Sequence, residues 1–163
     1  MKLLDPKLKY EGSSHVFRHC SDLMSFVRHL SIQLVIALAG LHAQGIIYKD
    51  LKATHVFLDE HMRLTLIDFG LAEQLSEDGK SILAGGTLHA MSPEMLVLYT
   101  KTASGQQDRI DAAREAVGYA HDFYTIGVLI LELIDPNLIK YYKTAGGTAG
   151  PGGVNIQQLR EYF

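Results

Sequence analysis

Asp50, Lys52 and Asp68 are the residues of this chain whose types and spacing could do chemistry: a carboxylate, a cation two positions on, and a second acid beyond an intervening turn. Moving a phosphoryl group to a hydroxyl needs an acid near the attacking oxygen, a cation beside the phosphate, and another acid that holds a divalent metal on the polyphosphate. Side chains two apart in an extended segment share a face, so Asp50 and Lys52 can reach one phosphate. Two short apolar runs, His55 to Leu58 and Leu64 to Ile67, flank the polar turn Asp59-Glu60-His61-Met62-Arg63. The pattern predicts a β-hairpin whose two ends put both acids at one mouth.

The elements that must position these side chains are legible from periodicity. Leu23, Phe26, Val27, Leu30, Leu34, Ala37, Leu38 and Leu41 recur at three-and-four spacing, which predicts helix from Asp22 to Gln44. Gly45 then ends it, because a left-handed terminal residue is least strained without a side chain. Leu71 to Met91 reads as a polar, irregular segment. Ser92-Pro93-Glu94 predicts a helix start, with a serine cap and proline in the first turn. Asp122 to Ile134 reads as an apolar helix buried on most faces. Residues 101–115 form a polar connection, and after Pro136 the pattern fades into the Gly-rich run 145–153, a linker or inserted loop.

Composition narrows the partners. At 163 residues, 47% hydrophobic and 20% charged, the chain has the make-up of part of a globular domain. A net charge of −3 and a pI near 6.2 give no electrostatic case for nucleic acid or an anionic membrane. The single cysteine, Cys20, excludes an internal disulfide and favours a reducing, intracellular and cytoplasmic setting. The apolar run Ile126 to Ile134 contains Glu132 and falls far short of the roughly 20 residues that cross a bilayer, so no membrane insertion is expected. Met1 to Pro6 lacks the apolar length of a signal peptide. No histidine spacing convinces as a metal motif, and Gly12-Ser13-Ser14 argues against the helix that would bring His15 and His19 together.

The run Ile47-Tyr48-Lys49-Asp50-Leu51-Lys52-Ala53-Thr54-His55-Val56-Phe57-Leu58-Asp59, followed by Leu66-Ile67-Asp68-Phe69-Gly70 and Ser92-Pro93-Glu94, resembles the catalytic half of a eukaryotic-type serine/threonine protein kinase. Leu41-His42-Ala43-Gln44-Gly45 before it, Gly86-Thr87 within it, and Asp122-Phe123-Tyr124-Thr125-Ile126-Gly127 after it fit the same family. The resemblance implies an α+β, mainly α fold: the larger kinase lobe, with short β-hairpins carrying the catalytic and metal loops. Its core would span about residues 22–134 of a partial domain, and 22–44 would cover the fourth and fifth helices of that lobe. By the same resemblance Asp50 is the catalytic base, Lys52 neutralises the transferring phosphate, and Thr87 contacts both. Asp68 holds magnesium, Phe69 is the mobile apolar plug and Gly70 the hinge. Phe57 and Ile67 would line the ATP site, with a plain core aromatic the alternative for Phe57; Asp122 would cap catalytic-loop amides, and Glu94 would pair with an arginine of a late helix that the sequence does not reveal. The implied cofactors are ATP and magnesium, and the implied partners a protein substrate and a regulatory protein.

The departures are specific. Tyr48 stands for histidine before the base, as in cyclic-nucleotide-dependent kinases. Lys49 stands for the arginine that grips a phosphorylated loop; lysine keeps the charge but loses the bidentate fork, which weakens control by loop phosphorylation. Ser81 is the best-placed hydroxyl in the loop for such a phosphate. His55 stands for the asparagine that holds a second magnesium, and imidazole suits that hard cation poorly. No glycine-rich loop, lysine strand or partner glutamate precedes residue 22, so the chain is expected to be a large-lobe fragment that is inactive alone. Two classes follow: a serine/threonine kinase of which this is one lobe, or a kinase-like binding module that transfers phosphate poorly.

Overall fold

Helix α1 (Leu23–His42) begins where the Asp22 carboxylate accepts the Ser25 amide at 2.7 Å, satisfying a donor the first turn leaves free. The computed structural model describes residues 2–3, 22–81, 83–103 and 117–134. The run 145–153, most of the 101–115 connection, and His15 and His19 lie outside them. The periodic stripe Phe26, Val27, Leu30, Leu34 and Leu38 is buried, while Met24, Ile32, Val35 and Ile36 face outward. By length and composition α1 could cross a membrane, and its inner stripe packs in the protein core. These 20 residues make one uninterrupted helix, so the expectation of two successive helices here is corrected. Gly45 follows at φ 77°, a left-handed conformation that glycine adopts without strain, and a Cβ there would also push aside the end of the Gln74 side chain.

The strands are short and clasp the two loops. Strand β1 (Lys2–Leu3) lies on one side of β3 (Val56–Leu58), and β4 (Leu64–Leu66) on the other, all antiparallel. The predicted hairpin is present with Val56 opposite Leu66 and Leu58 opposite Leu64. Its turn is knotted by Asp59, which accepts the amides of His61 and Arg63 and the Arg63 Nε. Strand β2 (Ile46–Ile47), just before the catalytic loop, pairs instead with β5 (Glu73–Gln74), just after the metal loop. The open end of the hairpin, at Val56 and Leu66, therefore has residues 48–55 entering on one strand and residues 67–70 leaving on the other, and the β2–β5 ladder ties the far ends of these two segments together.

Helix α2 (Pro93–Ala103) starts at Ser92, and α3 (Ala120–Ile134) packs against α1. One core joins Phe26, Leu30, Leu34 and Leu38 of α1 to Tyr48, Leu51, Val56 and to Ile126, Leu129 and Leu133 of α3. A second gathers Met91, Met95, Leu98 and Val117 beneath the segment that leads into α2. The expectation that α3 is buried on most faces is corrected: Phe123, Leu131 and Ile134 are each more than 40% exposed, giving it one inner face rather than full enclosure.

Candidate active site

The peptide before Asp50 adopts an unusual conformation. Lys49 has φ 68°, a left-handed geometry costing about 1 kcal/mol or more in a residue with a side chain, so its surroundings must enforce it. Asp122, fully buried at the start of α3, does so by accepting the Tyr48 amide at 2.8 Å and the Lys49 amide at 2.9 Å. His42, at the end of α1, donates to the same carboxylate at 2.8 Å and packs against the rings of Tyr119 and Phe123. The amide-capping role expected of Asp122 is thus built as read.

Asp50 is then presented to two partners. Its Oδ1 accepts the Thr87 hydroxyl at 2.6 Å and its Oδ2 the Lys52 ammonium at 2.7 Å, while Lys52 also reaches Thr87 at 3.3 Å. Burial works against charge on Asp50, but the hydrogen bonds from Lys52 and Thr87, with the charges of Lys52 and His55, outweigh it and hold the carboxyl below its ordinary range. An ionised acid beside a cation and a hydroxyl-bearing loop can orient and deprotonate an alcohol. Gly86, at φ 122°, lets that loop pass so close that a Cβ would lie 2.9 Å from the Lys49 carbonyl oxygen.

Asp68 closes the other side. It too is left-handed, at φ 60°, and its side chain is 58% exposed. Its Oδ1 accepts the Gly70 amide at 3.2 Å, and its Oδ2 lies 3.3 Å from His55 Nε2. His55 Nδ1 donates to the Asp50 backbone carbonyl at 2.9 Å, so the ring stands between the two acids. Charged, solvent-facing oxygens at Asp68 fit a magnesium ion. His55 does not: one nitrogen is committed to a carbonyl, and the other offers a donor such a hard ion disfavours. Among the described residues no three His, Cys, Asp or Glu side chains converge on a metal position.

Phe57 is half-buried on the face of β3 opposite Val56 and Leu58, and the half-buried Ile67 gives its carbonyl to the Tyr48 hydroxyl. Burial, then the charges of Asp50, Asp68 and Asp122, keep that phenol protonated well above its usual range. The Phe69 ring meets Tyr48 edge-on with centroids 5.3 Å apart. Glu94 pairs with no basic side chain among the described residues.

Ser81 is the clearest correction. It is fully buried, its hydroxyl bonded to Glu73 at 2.7 Å and to the Leu83 carbonyl at 3.0 Å, so in this conformation it is closed to modification. Lys49 uses the same acid: its ammonium lies 2.5 Å from Glu73 Oε2 and 3.1 Å from the Leu83 carbonyl, with only 3% and 8% of the Lys49 and Glu73 side chains exposed. Sequence reasoning missed Glu73, whose carboxylate gives the buried Lys49 ammonium a charge partner within the protein. It also missed Gln33, whose amide donates to the Met62 carbonyl and accepts the Leu64 amide, fastening the hairpin to α1. A polar residue within an apolar helical stripe was the available signal.

Comparison with known proteins identifies relatives of the chain. The human ribosomal protein S6 kinase alpha-4 is 32% identical over 133 residues, covering 78% of this chain and 15% of its own. The ribosomal protein S6 kinase beta of Caenorhabditis elegans is 30% identical, with 78% of this chain and 21% of its own covered. The rat 3-phosphoinositide-dependent protein kinase 1 is 35% identical over 96 residues, covering 55% and 17%. The chain thus spans less than a third of the length of these relatives. The family described as protein kinase domain matches residues 13–146, which include every residue of the Asp50, Lys52, Thr87 and Asp68 constellation, and the chain belongs to that family.

Proposed function

We propose that this chain is the catalytic-loop and metal-loop half, the larger lobe, of a kinase that transfers the γ-phosphoryl of ATP to serine and threonine hydroxyls of proteins. The observation that carries the reading is Asp50 held between Thr87 and Lys52 at 2.6 and 2.7 Å. Asp50 accepts the proton of the incoming hydroxyl and aligns its oxygen. Lys52 sits beside Asp50 Oδ2, where its ammonium would offset charge on the group in transit. Thr87 fixes the carboxylate rotamer and favours a hydroxyl substrate seated along its own segment. Phe57 and Ile67 offer an apolar floor for a nucleotide base, and Asp68 would hold magnesium. Magnesium-bound ATP supplies, when bound, the phosphoryl group and the neutralisation of its charge. A protein substrate and a regulatory protein in the cytoplasm belong to this reading.

The test is peptide phosphorylation by the two-lobed protein containing this chain. Asp50→Asn should reduce transfer by about 100-fold or more while leaving nucleotide affinity unchanged, since the base acts on the hydroxyl. Equal turnover would remove Asp50 from the mechanism.

A second reading, a kinase-like binding module without efficient transfer, draws on His55 standing between Asp50 and Asp68. His55→Asn separates the two. It should raise turnover at saturating ATP in a kinase limited by its second metal position, and leave transfer undetectable in a binding module.

A further inference from the structure

The residue next to Asp122 does something the catalytic constellation leaves unexplained. His121 is fully buried at the start of α3, yet both of its ring nitrogens are engaged. Nε2 lies 3.0 Å from the Lys49 carbonyl oxygen, and Nδ1 lies 2.9 Å from Ser92 Oγ and 3.3 Å from the Ser92 amide. A carbonyl only accepts, so Nε2 carries the proton; a backbone amide only donates, so Nδ1 is the acceptor. The Ser92 hydroxyl then donates to Nδ1 while accepting the Met95 amide at 3.4 Å. Every polar atom in this buried line has a partner of the right kind. The line runs from the first turn of α2 through Ser92 and His121 to the carbonyl of the residue before Asp50.

That carbonyl belongs to the left-handed Lys49, and Gly86 comes close against it. Asp122 holds the two amides of this turn, and His121, one residue earlier, holds its carbonyl. Adjacent residues of α3 therefore hold successive peptides of the turn that aims Asp50, Asp122 by the Tyr48 and Lys49 amides and His121 by the Lys49 carbonyl. We propose that His121, as a neutral Nε2–H imidazole, is a positioning residue that sets the orientation of Asp50 and locks it to the start of α2 through Ser92. The proposal rests on the kinase reading for its catalytic consequence and on geometry alone for its structural one. Burial favours the neutral ring, working against the Lys49 carbonyl bond and the charges of Asp122 and Glu94; the Lys49 cation adds to the burial effect.

The experiment has two arms. In the first, ring ¹⁵N spectra of the full chain are recorded from pH 5.5 to 8. His121 should remain an Nε2–H neutral imidazole at pH 6.5, and an Nδ1–H tautomer or a fully protonated ring there would overturn the proposal. The second arm compares His121→Leu with His121→Gln, whose planar amide keeps one donor and one acceptor. In the two-lobed protein the leucine variant should lose about tenfold or more in kcat at unchanged KM for ATP, because small misplacements of the reacting groups are costly, and glutamine should recover most of the loss. Wild-type kcat in the leucine variant, or a glutamine variant no better than leucine, would overturn it. Should the wild type transfer no phosphate, the kinase reading fails on its own, and amide exchange in the full chain decides. Faster exchange at Lys49 and Met95 in the leucine variant, restored by glutamine, supports the lock; unchanged protection overturns it.

Discussion

Asp50 and Asp68 are both acids beside a left-handed backbone, yet the protein treats them in opposite ways. The Asp50 side chain is 9% exposed and that of Asp68 58%. Around Asp50 the backbone is held by Asp122 and His121, the side chain by Thr87 and Lys52, and the neighbouring Lys49 by Glu73. Around Asp68 the contacts are one local amide and the edge of an imidazole. The difference teaches that this part of the fold fixes Asp50, the acid we propose faces the hydroxyl, while it leaves Asp68, the acid we propose holds the metal, open to solvent.

The contrast can be broken most forcefully at Asp122. Asp122→Ala removes the acceptor of two buried amides and should cost about 4 kcal/mol of stability, read from the midpoint of chemical denaturation. A loss under about 1 kcal/mol would show that the Lys49 turn holds itself. Next comes Glu73→Ala, which strands a buried ammonium and should cost about 3 kcal/mol, whereas the double change Lys49→Met with Glu73→Leu should cost much less. If single and double variants are equally stable, the pair is not a buried clamp.

Acidification sharpens the comparison further. The folded pKa of His121 lies below its ordinary 6.5, so the unfolded chain takes up the proton first. Its contribution is complete above pH 6.5 and is lost below it, at up to about 1.4 kcal/mol per pH unit until the folded value is passed. Asp50 and Asp59 are lowered, Asp59 to about 2 chiefly by the Arg63 amide, so their contributions are lost only as the pH falls below 3.8. Stability of His121→Gln should therefore be flatter than wild type between pH 5.5 and 6.5; parallel curves would contradict the buried neutral ring. The smallest effect is expected at Asp68→Asn, within about 0.5 kcal/mol of wild-type stability by thermal unfolding, because that carboxylate is exposed. A larger loss would place Asp68 in the structural frame.

Much of this architecture is legible in residue spacing. The α1 stripe, the β3–β4 hairpin, the Ser92 cap and the grouping of Asp50, Lys52, Thr87 and Asp122 all follow from local pattern or from matched residue runs. What escaped depends on contacts between segments far apart in the chain. Nothing near Ile46 announces that its strand partner is Gln74, and nothing near Ser81 announces that its hydroxyl is folded under Glu73. His121 read as one of several ordinary histidines because its role exists only once Ser92 and Lys49 meet it from two sides. Periodicity also misjudged α3, since an apolar composition does not say which neighbours cover Phe123 and Leu131.

The central claim is that the two acids divide the work, Asp50 serving the hydroxyl and Asp68 the metal-bound nucleotide. It is tested most directly by measuring magnesium-dependent ATP affinity and peptide phosphorylation side by side in the two-lobed protein for Asp50→Asn and Asp68→Asn. The account predicts that both variants lose phosphorylation, and that only Asp68→Asn loses magnesium-dependent affinity, by about tenfold or more. Equal affinity loss in both, or loss confined to Asp50→Asn, would contradict it.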